Sequence, residues 1–163
     1  MKKWHQSQRG YFGKALYEAM ENDPDIFLLT GDLGYKLFDP HFEDFPDRCI
    51  NTGAAEQAML GIAVGLAQEH KKPFVYTITS FFLRCAETIS LYLDHENIPV
   101  RLVGSGVEDN YKHDGYSHYC YKAQEYIKSC RLMEYYPTTK EQIPDMVKRM
   151  VEQEEASFIG LIR

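Results

Sequence analysis

The chain has 163 residues, 44% hydrophobic and 26% charged, which is long enough for one globular domain with a real core. A formal charge of -6 and a pI near 5.5, without any cluster of Lys or Arg, argue against nucleic acid or an anionic membrane as the main partner. Cys49, Cys85, Cys120 and Cys130 share no Cys-x-x-Cys spacing, so reduced thiols are expected rather than a disulfide framework or a zinc site.

In chain order, Met1 to Arg9 is polar and has no signal-peptide core, and no later run reaches membrane-spanning length, so a soluble cytoplasmic chain is expected. Tyr11, Phe12, Ala15, Leu16, Ala19 and Met20 predict a helix from Ser7 to Asn22, stopped by Asp23-Pro24. Ile26 to Thr30 reads as a buried strand ending at Gly31-Asp32-Leu33-Gly34, and Tyr35 to Phe45 as irregular. A short strand, Arg48 to Asn51, then feeds the stretch that organises the chain. Glu56 leads an otherwise apolar helix, Glu56 to Gln68, in which Ala55, Ala58, Met59, Ile62, Ala63, Leu66 and Ala67 follow the spacing of a buried face and Leu60 and Val64 widen it. Gly61 and Gly65 weaken a helix, and predict a second backbone close on that side.

Beyond it, Pro73 to Thr79 predicts a strand, Phe82 to Tyr92 a helix, Val100 to Gly104 a strand, and Ser105 to Tyr119 a polar loop too long for a plain connector. Ala123 to Cys130 reads as a short helix and Arg131 to Tyr136 as extended. Ile143, Met146, Val147, Met150 and Val151 mark a last helix, with a capping box from Thr138 and Glu141 or from Thr139 and Gln142. Phe158 to Ile162 closes the chain as a strand. Strands alternating with helices predict an α/β three-layer sandwich, a mainly parallel sheet with helices on both faces. In such sheets ligands sit beyond the carboxyl ends of the strands. Asp32, Glu56, Phe81 with Phe82, and Asp114 with His118 all follow predicted strands, so one rim gathers them.

Individually these motifs are ambiguous. Glu56 either offsets the helix dipole or, desolvated by its apolar helix, shares a proton with a ligand nitrogen. Gly31-Asp32-Leu33-Gly34 lacks a phosphate-cradling pattern and reads as a turn. Phe81 and Phe82 are either core residues or a stacking platform, and Arg84 either a surface ion-pair partner or part of a site. His113, Asp114 and His118 suit hydrogen bonding or proton transfer with a hydroxylated substrate; metal ligation by His113, His118 and Cys120 has no recognised spacing behind it.

Taken in order, Asn51-Thr52-Gly53-Ala54-Ala55-Glu56-Gln57, Gly61-Ile62-Ala63-Val64-Gly65-Leu66-Ala67, Phe81-x-x-Arg84 and Asp114-Gly115-x-x-His118 resemble the pyrimidine-binding domain of transketolase-type thiamine diphosphate-dependent enzymes over nearly the whole chain. The resemblance implies the thiamine diphosphate-binding fold. It also implies that Glu56 hydrogen-bonds N1′ of the cofactor's aminopyrimidine, setting the cofactor's own base to remove the thiazolium C2 proton. Phe81 then lies beside the pyrimidine, with Phe82 as the adjacent alternative. Arg84, Asp114 and His118 fall at substrate-binding positions, His118 with a catalytic role. The family loop Asp-Gly-Pro-Thr-His reads Asp114-Gly115-Tyr116-Ser117-His118 here, which points to altered substrate preference.

The Gly-Asp-Gly motif with a downstream Asn that binds diphosphate and magnesium in these enzymes is missing, and the chain itself is expected to ligate no metal. Residues 1–163 are therefore expected to form a single pyrimidine-binding domain, without the diphosphate-binding and carboxyl-terminal domains. The expectation is a transferase subunit of carbohydrate metabolism, moving a two-carbon ketol unit between sugar phosphates or activated sugars. Its partner is a diphosphate-binding chain holding most of the magnesium contacts, in a heterotetramer with two copies of each; homodimer contacts are left open. The alternatives are a subunit of a split 2-oxoacid decarboxylase or carboligase, and a non-catalytic interaction or regulatory module.

Overall fold

The computed structural model describes residues 2–108 and 110–163. Six strands form one sheet in the order β2-β1-β3-β4-β6-β5: β1 (Ile26–Thr30), β2 (Cys49–Asn51), β3 (Lys72–Ile78), β4 (Arg101–Ser105), β5 (Met133–Tyr135) and β6 (Ser157–Leu161). Every pairing is parallel, with Leu28 opposite Phe74, Val75 opposite Leu102 and Leu102 opposite Phe158 at the centre. Parallel strands need helical crossovers, so the sheet is covered on both faces, and β3, β4 and β6 are accordingly buried along nearly their whole length.

On one face, α1 (Gln8–Asn22) and α6 (Ile143–Glu152) press Phe12, Leu16, Met20, Ile143, Val147 and Met150 onto Ile26, Leu28, Phe74 and Ile159. Ser7 caps α1 by accepting from the Gly10 amide, and the Thr139 and Gln142 capping box starts the turn leading into α6. On the other face, α3 (Glu56–Gln68), the helical run from Thr79 to His95 and α5 (Tyr121–Ser129) cover Leu29, Val75, Leu102 and Phe158. Each such fully buried Leu or Phe contributes about 1.5–3 kcal/mol of burial.

Three expectations change. Tyr35 to Phe45 is not wholly irregular: Asp39–Asp44 forms α2, a short helix begun by Pro40 near its first position. The helix expected over Phe82 to Tyr92 is instead a 3-10 turn (Thr79–Cys85), a single α turn (α4, Ala86–Thr88) and a π-helix (Ile89–His95), which rotates successive turns to bury Phe82, Cys85, Ile89 and Leu93. In α3 the buried side is Met59, Leu60, Ala63, Val64 and Ala67, while Ala55, Ala58, Gly61 and Gly65 face outward and Ile62 is 41% exposed. Outside the helix's own neighbouring backbone, no atom of the described residues lies within 4 Å of where a Cβ on Gly61 or Gly65 would stand, so the close backbone those glycines predict is not found among them.

On the inner side of α2, His41 is fully buried among Trp4, Tyr17 and Phe38, and neither ring nitrogen has a hydrogen-bond partner among the described residues. Burial first of all holds the imidazole down at about 4. Between that value and an ordinary His value near 6.5 the unfolded chain binds the proton and the folded chain does not, so stability is full above about pH 6.5 and falls toward pH 4. The expected loss is on the order of 2–3 kcal/mol across that window. Urea unfolding at pH 7 and pH 5 checks it, since His41→Phe should flatten the difference.

Candidate active site

The rim is set by the strand register. Thr30, Ile78, Ser105 and Leu161 end neighbouring strands, and the segments leaving those ends carry the polar residues. Glu56 is the first residue of α3. It is 3% exposed, and Ala55 holds the N-cap position before it. A buried carboxylate requires a partner. Arg84, delivered by the turn after β3, donates from Nη1 to Glu56 Oε2 at 2.7 Å, and its guanidinium lies 4.4 Å from the Phe81 ring centre. The Arg84 side chain is 52% exposed, so the pair opens to solvent on the arginine side.

Phe81 is half-buried and meets the His118 ring edge-on at 5.1 Å. Phe82, the alternative stacking residue, is buried against Phe158 at 6.2 Å; alternation around the turn sends it into the core, away from the rim. His118 Nδ1 lies 3.0 Å from Ser117 Oγ, and its ring is 6.4 Å from that of Tyr111. Asp114 does not join Glu56. Its Oδ2 accepts from Arg163 Nη1 at 3.4 Å, and Arg163 also reaches His113 Nε2 at 2.7 Å and covers the Tyr111 ring at 4.7 Å. Glu56, Arg84, Phe81 and His118 thus form one contact chain, and Tyr111 and Arg163 extend it to Asp114. Asp32 sits on the same rim in a left-handed turn and accepts from the Tyr35 hydroxyl.

Sequence reasoning missed the wall of a cavity of about 410 Å³ on this rim. Lys3, Arg9 and Lys36 line it beside Tyr76, Ser105 and Tyr111, and among the described residues no carboxylate does. Three cations thus gather on one cavity of a chain whose net charge is -6, which makes its wall locally electropositive. Arg9 Nε is buried without a hydrogen-bond partner among the described residues, which leaves a charged donor for a ligand. The three lie in separate segments and follow no spacing rule; the only sequence signal is Arg9 at the start of α1.

Burial keeps the four thiols protonated. Cys85, under Glu56, is pushed up to about 12 by burial and then by the Glu56 charge, and burial takes Cys49 to about 12 as well. Among the described residues no group of three or more His, Cys, Asp or Glu side chains could hold a metal ion. No helix of the described residues is long and apolar enough to cross a membrane.

Residues 5–162 match the family model described as the transketolase pyrimidine-binding domain. The chain belongs to that family. The pyrimidine-binding domain is 34% identical over 112 residues to 1-deoxy-D-xylulose-5-phosphate synthase of Fusobacterium nucleatum, covering 64% of this chain and 18% of that protein. It is 33% identical over 109 residues to an uncharacterized 33.6 kDa protein in the fasciation locus of Rhodococcoides fascians, covering 66% of this chain and 35% of that one. The chain therefore spans about a third or less of the length of these relatives. Among solved structures it superimposes on a split gene transketolase described as an inactive beta4 tetramer, with a TM-score of 0.84, 28% identity, and coverage of 96% of this chain and 51% of that one. Transketolase from Campylobacter jejuni gives a TM-score of 0.85 at 17% identity, over 96% of this chain and 26% of that one, which shows the shared fold. The sheet and helix arrangement is thus that of a transketolase pyrimidine domain, and the family is that of thiamine diphosphate-dependent enzymes.

Proposed function

We propose that residues 1–163 are the pyrimidine-binding subunit of a split thiamine diphosphate-dependent, transketolase-like transferase of the cytoplasm, moving a two-carbon ketol unit between sugar substrates. The observation that carries the reading is the nearly buried Glu56 carboxylate, joined through the Arg84 guanidinium to the Phe81 ring at the carboxyl-end rim, on which a cavity lined by cations also opens. The donor set fits an aminopyrimidine: a flat ring has Phe81 to stack on, and a ring nitrogen has a carboxylate to share a proton with. When bound, the cofactor supplies the nucleophilic carbon and the electron sink of the reaction.

The chain's own residues bind, orient and move protons. Glu56 holds the proton at the pyrimidine ring nitrogen, and Arg84 fixes the Glu56 side chain through Oε2. His118, on the edge of Phe81, exchanges a proton with a substrate hydroxyl; Asp114, held by Arg163, accepts a hydrogen bond from another. Arg9, Lys3 and Lys36 receive the anionic end of the substrate. Replacing Arg9 by Met is expected to raise KM for a sugar phosphate about tenfold or more, as loss of a charged hydrogen bond does, leaving kcat and the KM of the unphosphorylated sugar little changed. Steady-state kinetics of the reconstituted enzyme with the two substrates checks this.

The diphosphate and its magnesium are assigned to a separate chain, in a heterotetramer with two copies of each. The outward stripe of α3, Ala58, Gly61, Ile62 and Gly65, and the split gene neighbour support that assignment. Titrating thiamine diphosphate calorimetrically into this chain mixed with its diphosphate-binding partner tests the reading. Saturable binding that neither chain gives alone is expected, together with ketol transfer. A mixture that forms but binds no cofactor would establish the non-catalytic module instead. The kinship to deoxyxylulose-phosphate synthases favours one second reading, a split carboligase acting on a 2-oxoacid. Turnover with a 2-oxoacid donor and none with a ketose phosphate would select it.

A further inference from the structure

A second cavity, of about 390 Å³, lies on the far side of the loop Leu33, Gly34 and Tyr35, between α2 and the carboxyl ends of β1 and β2. Its volume is in the range of about 300–1,000 Å³ common for small-molecule sites. Its character is opposite to that of the first cavity. Asp39 and Glu43, one turn apart on α2, supply two carboxylates, and no Lys or Arg lines it. The walls are apolar and aromatic: Leu33, Tyr35, Phe38 and Phe42. Thr30, 1% exposed, lines it from the end of β1, on the same side of the strand as Leu28, and its Oγ1 has no hydrogen-bond partner among the described residues. An unpartnered buried hydroxyl costs stability unless something else completes its bonding. Asn51 also lines the cavity; its Oδ1 is taken by the amides of Asp32 and Gly53, which turns its amide nitrogen the other way.

We propose that this cavity is a binding site for a small organic cation, a primary ammonium on a compact apolar body. The carboxylates of Asp39 and Glu43 neutralise the ammonium, the Phe38 and Phe42 rings take the apolar body and attract the charge, and Thr30 Oγ1 accepts an N–H. A bare metal ion is a poor match, since no group of metal-ligating side chains gathers there among the described residues. The site does not rest on the function proposed above. It shares only the Leu33 to Tyr35 loop with the cationic cavity.

The test uses the full chain and two probes of nearly equal shape, benzylammonium and benzyl alcohol, followed by amide chemical shifts. Benzylammonium is expected to saturate, with shifts confined to Thr30, Leu33, Phe38, Phe42 and Glu43, and benzyl alcohol to bind at least about tenfold more weakly. Glu43→Gln should weaken benzylammonium about tenfold, and Thr30→Val about fivefold, while Thr30→Val melts at or above the parent temperature because it removes an unpartnered buried hydroxyl. Equal binding of the two probes, shifts centred on Arg9 and Tyr111 instead, or unchanged affinity in folded Glu43→Gln would overturn the proposal.

Discussion

Replacing Glu56 by Gln is expected to cut turnover of the reconstituted complex by about 10²- to 10⁴-fold, the range attached to a positioned proton-sharing group. The substitution keeps shape and leaves a carbonyl oxygen to accept from Arg84 Nη1, so the turn after β3 and the start of α3 remain anchored. Assembly and melting temperature should therefore stay close to the parent's. The measurement is turnover at saturating cofactor, paired with sedimentation of the complex. Near-parental turnover would remove Glu56 from the chemistry. A complex that no longer forms would show that the ion pair is needed for assembly instead.

The two adjacent phenylalanines should separate cleanly. Phe82→Ala deletes a buried ring packed on Phe158 and is expected to cost about 3–5 kcal/mol. For a chain of this length that lowers the melting temperature by about 10 °C. Phe81→Ala removes a half-buried ring that touches Arg84 and His118 and packs on the small cluster of Ile78, Tyr111 and Cys120, so its expected stability cost, well below that of Phe82→Ala, is about 1–2 kcal/mol. Its effect should appear in the affinity of the complex for thiamine diphosphate, which calorimetry reads directly. If Phe82→Ala left stability intact and abolished cofactor binding, the roles given to the two rings would be reversed.

The sheet was readable because its strands are buried on both faces: Ile26 to Thr30, Pro73 to Ile78 and Phe158 to Leu161 have no other way to hide so many apolar atoms. Local chemistry set the ends of α1 at Ser7 and Asp23-Pro24, and Thr139 with Gln142 fixed the turn before α6. The run from Thr79 to His95 was not readable as built, since a change from 3-10 to α to π winding answers to what each turn packs on, not to a sequence period. The outward stripe of α3 misled for a simpler reason. An alanine or isoleucine on an outward face looks the same in sequence as one bound for the core.

At the site, Glu56 and Phe81 were legible from their places after strands, as were Arg84 and His118. Their connections were not. Arg84 read equally well as an ordinary surface cation, yet it holds a nearly buried carboxylate. Arg163 reaches Asp114 only because β6 runs beside β4, a neighbour relation that exists in the sheet and not in the chain.

In α3 the residue proposed to touch the coenzyme and the bare strip of small side chains belong to a single stiff rod of 13 residues. A helix transmits displacement along its axis with little give, so pressure anywhere on Ala58, Gly61 or Gly65 reaches the Glu56 oxygens with no hinge between. On the function proposed above, a partner seated on that strip would therefore also bear on the acid, and quaternary contact and proton position would become one mechanical variable.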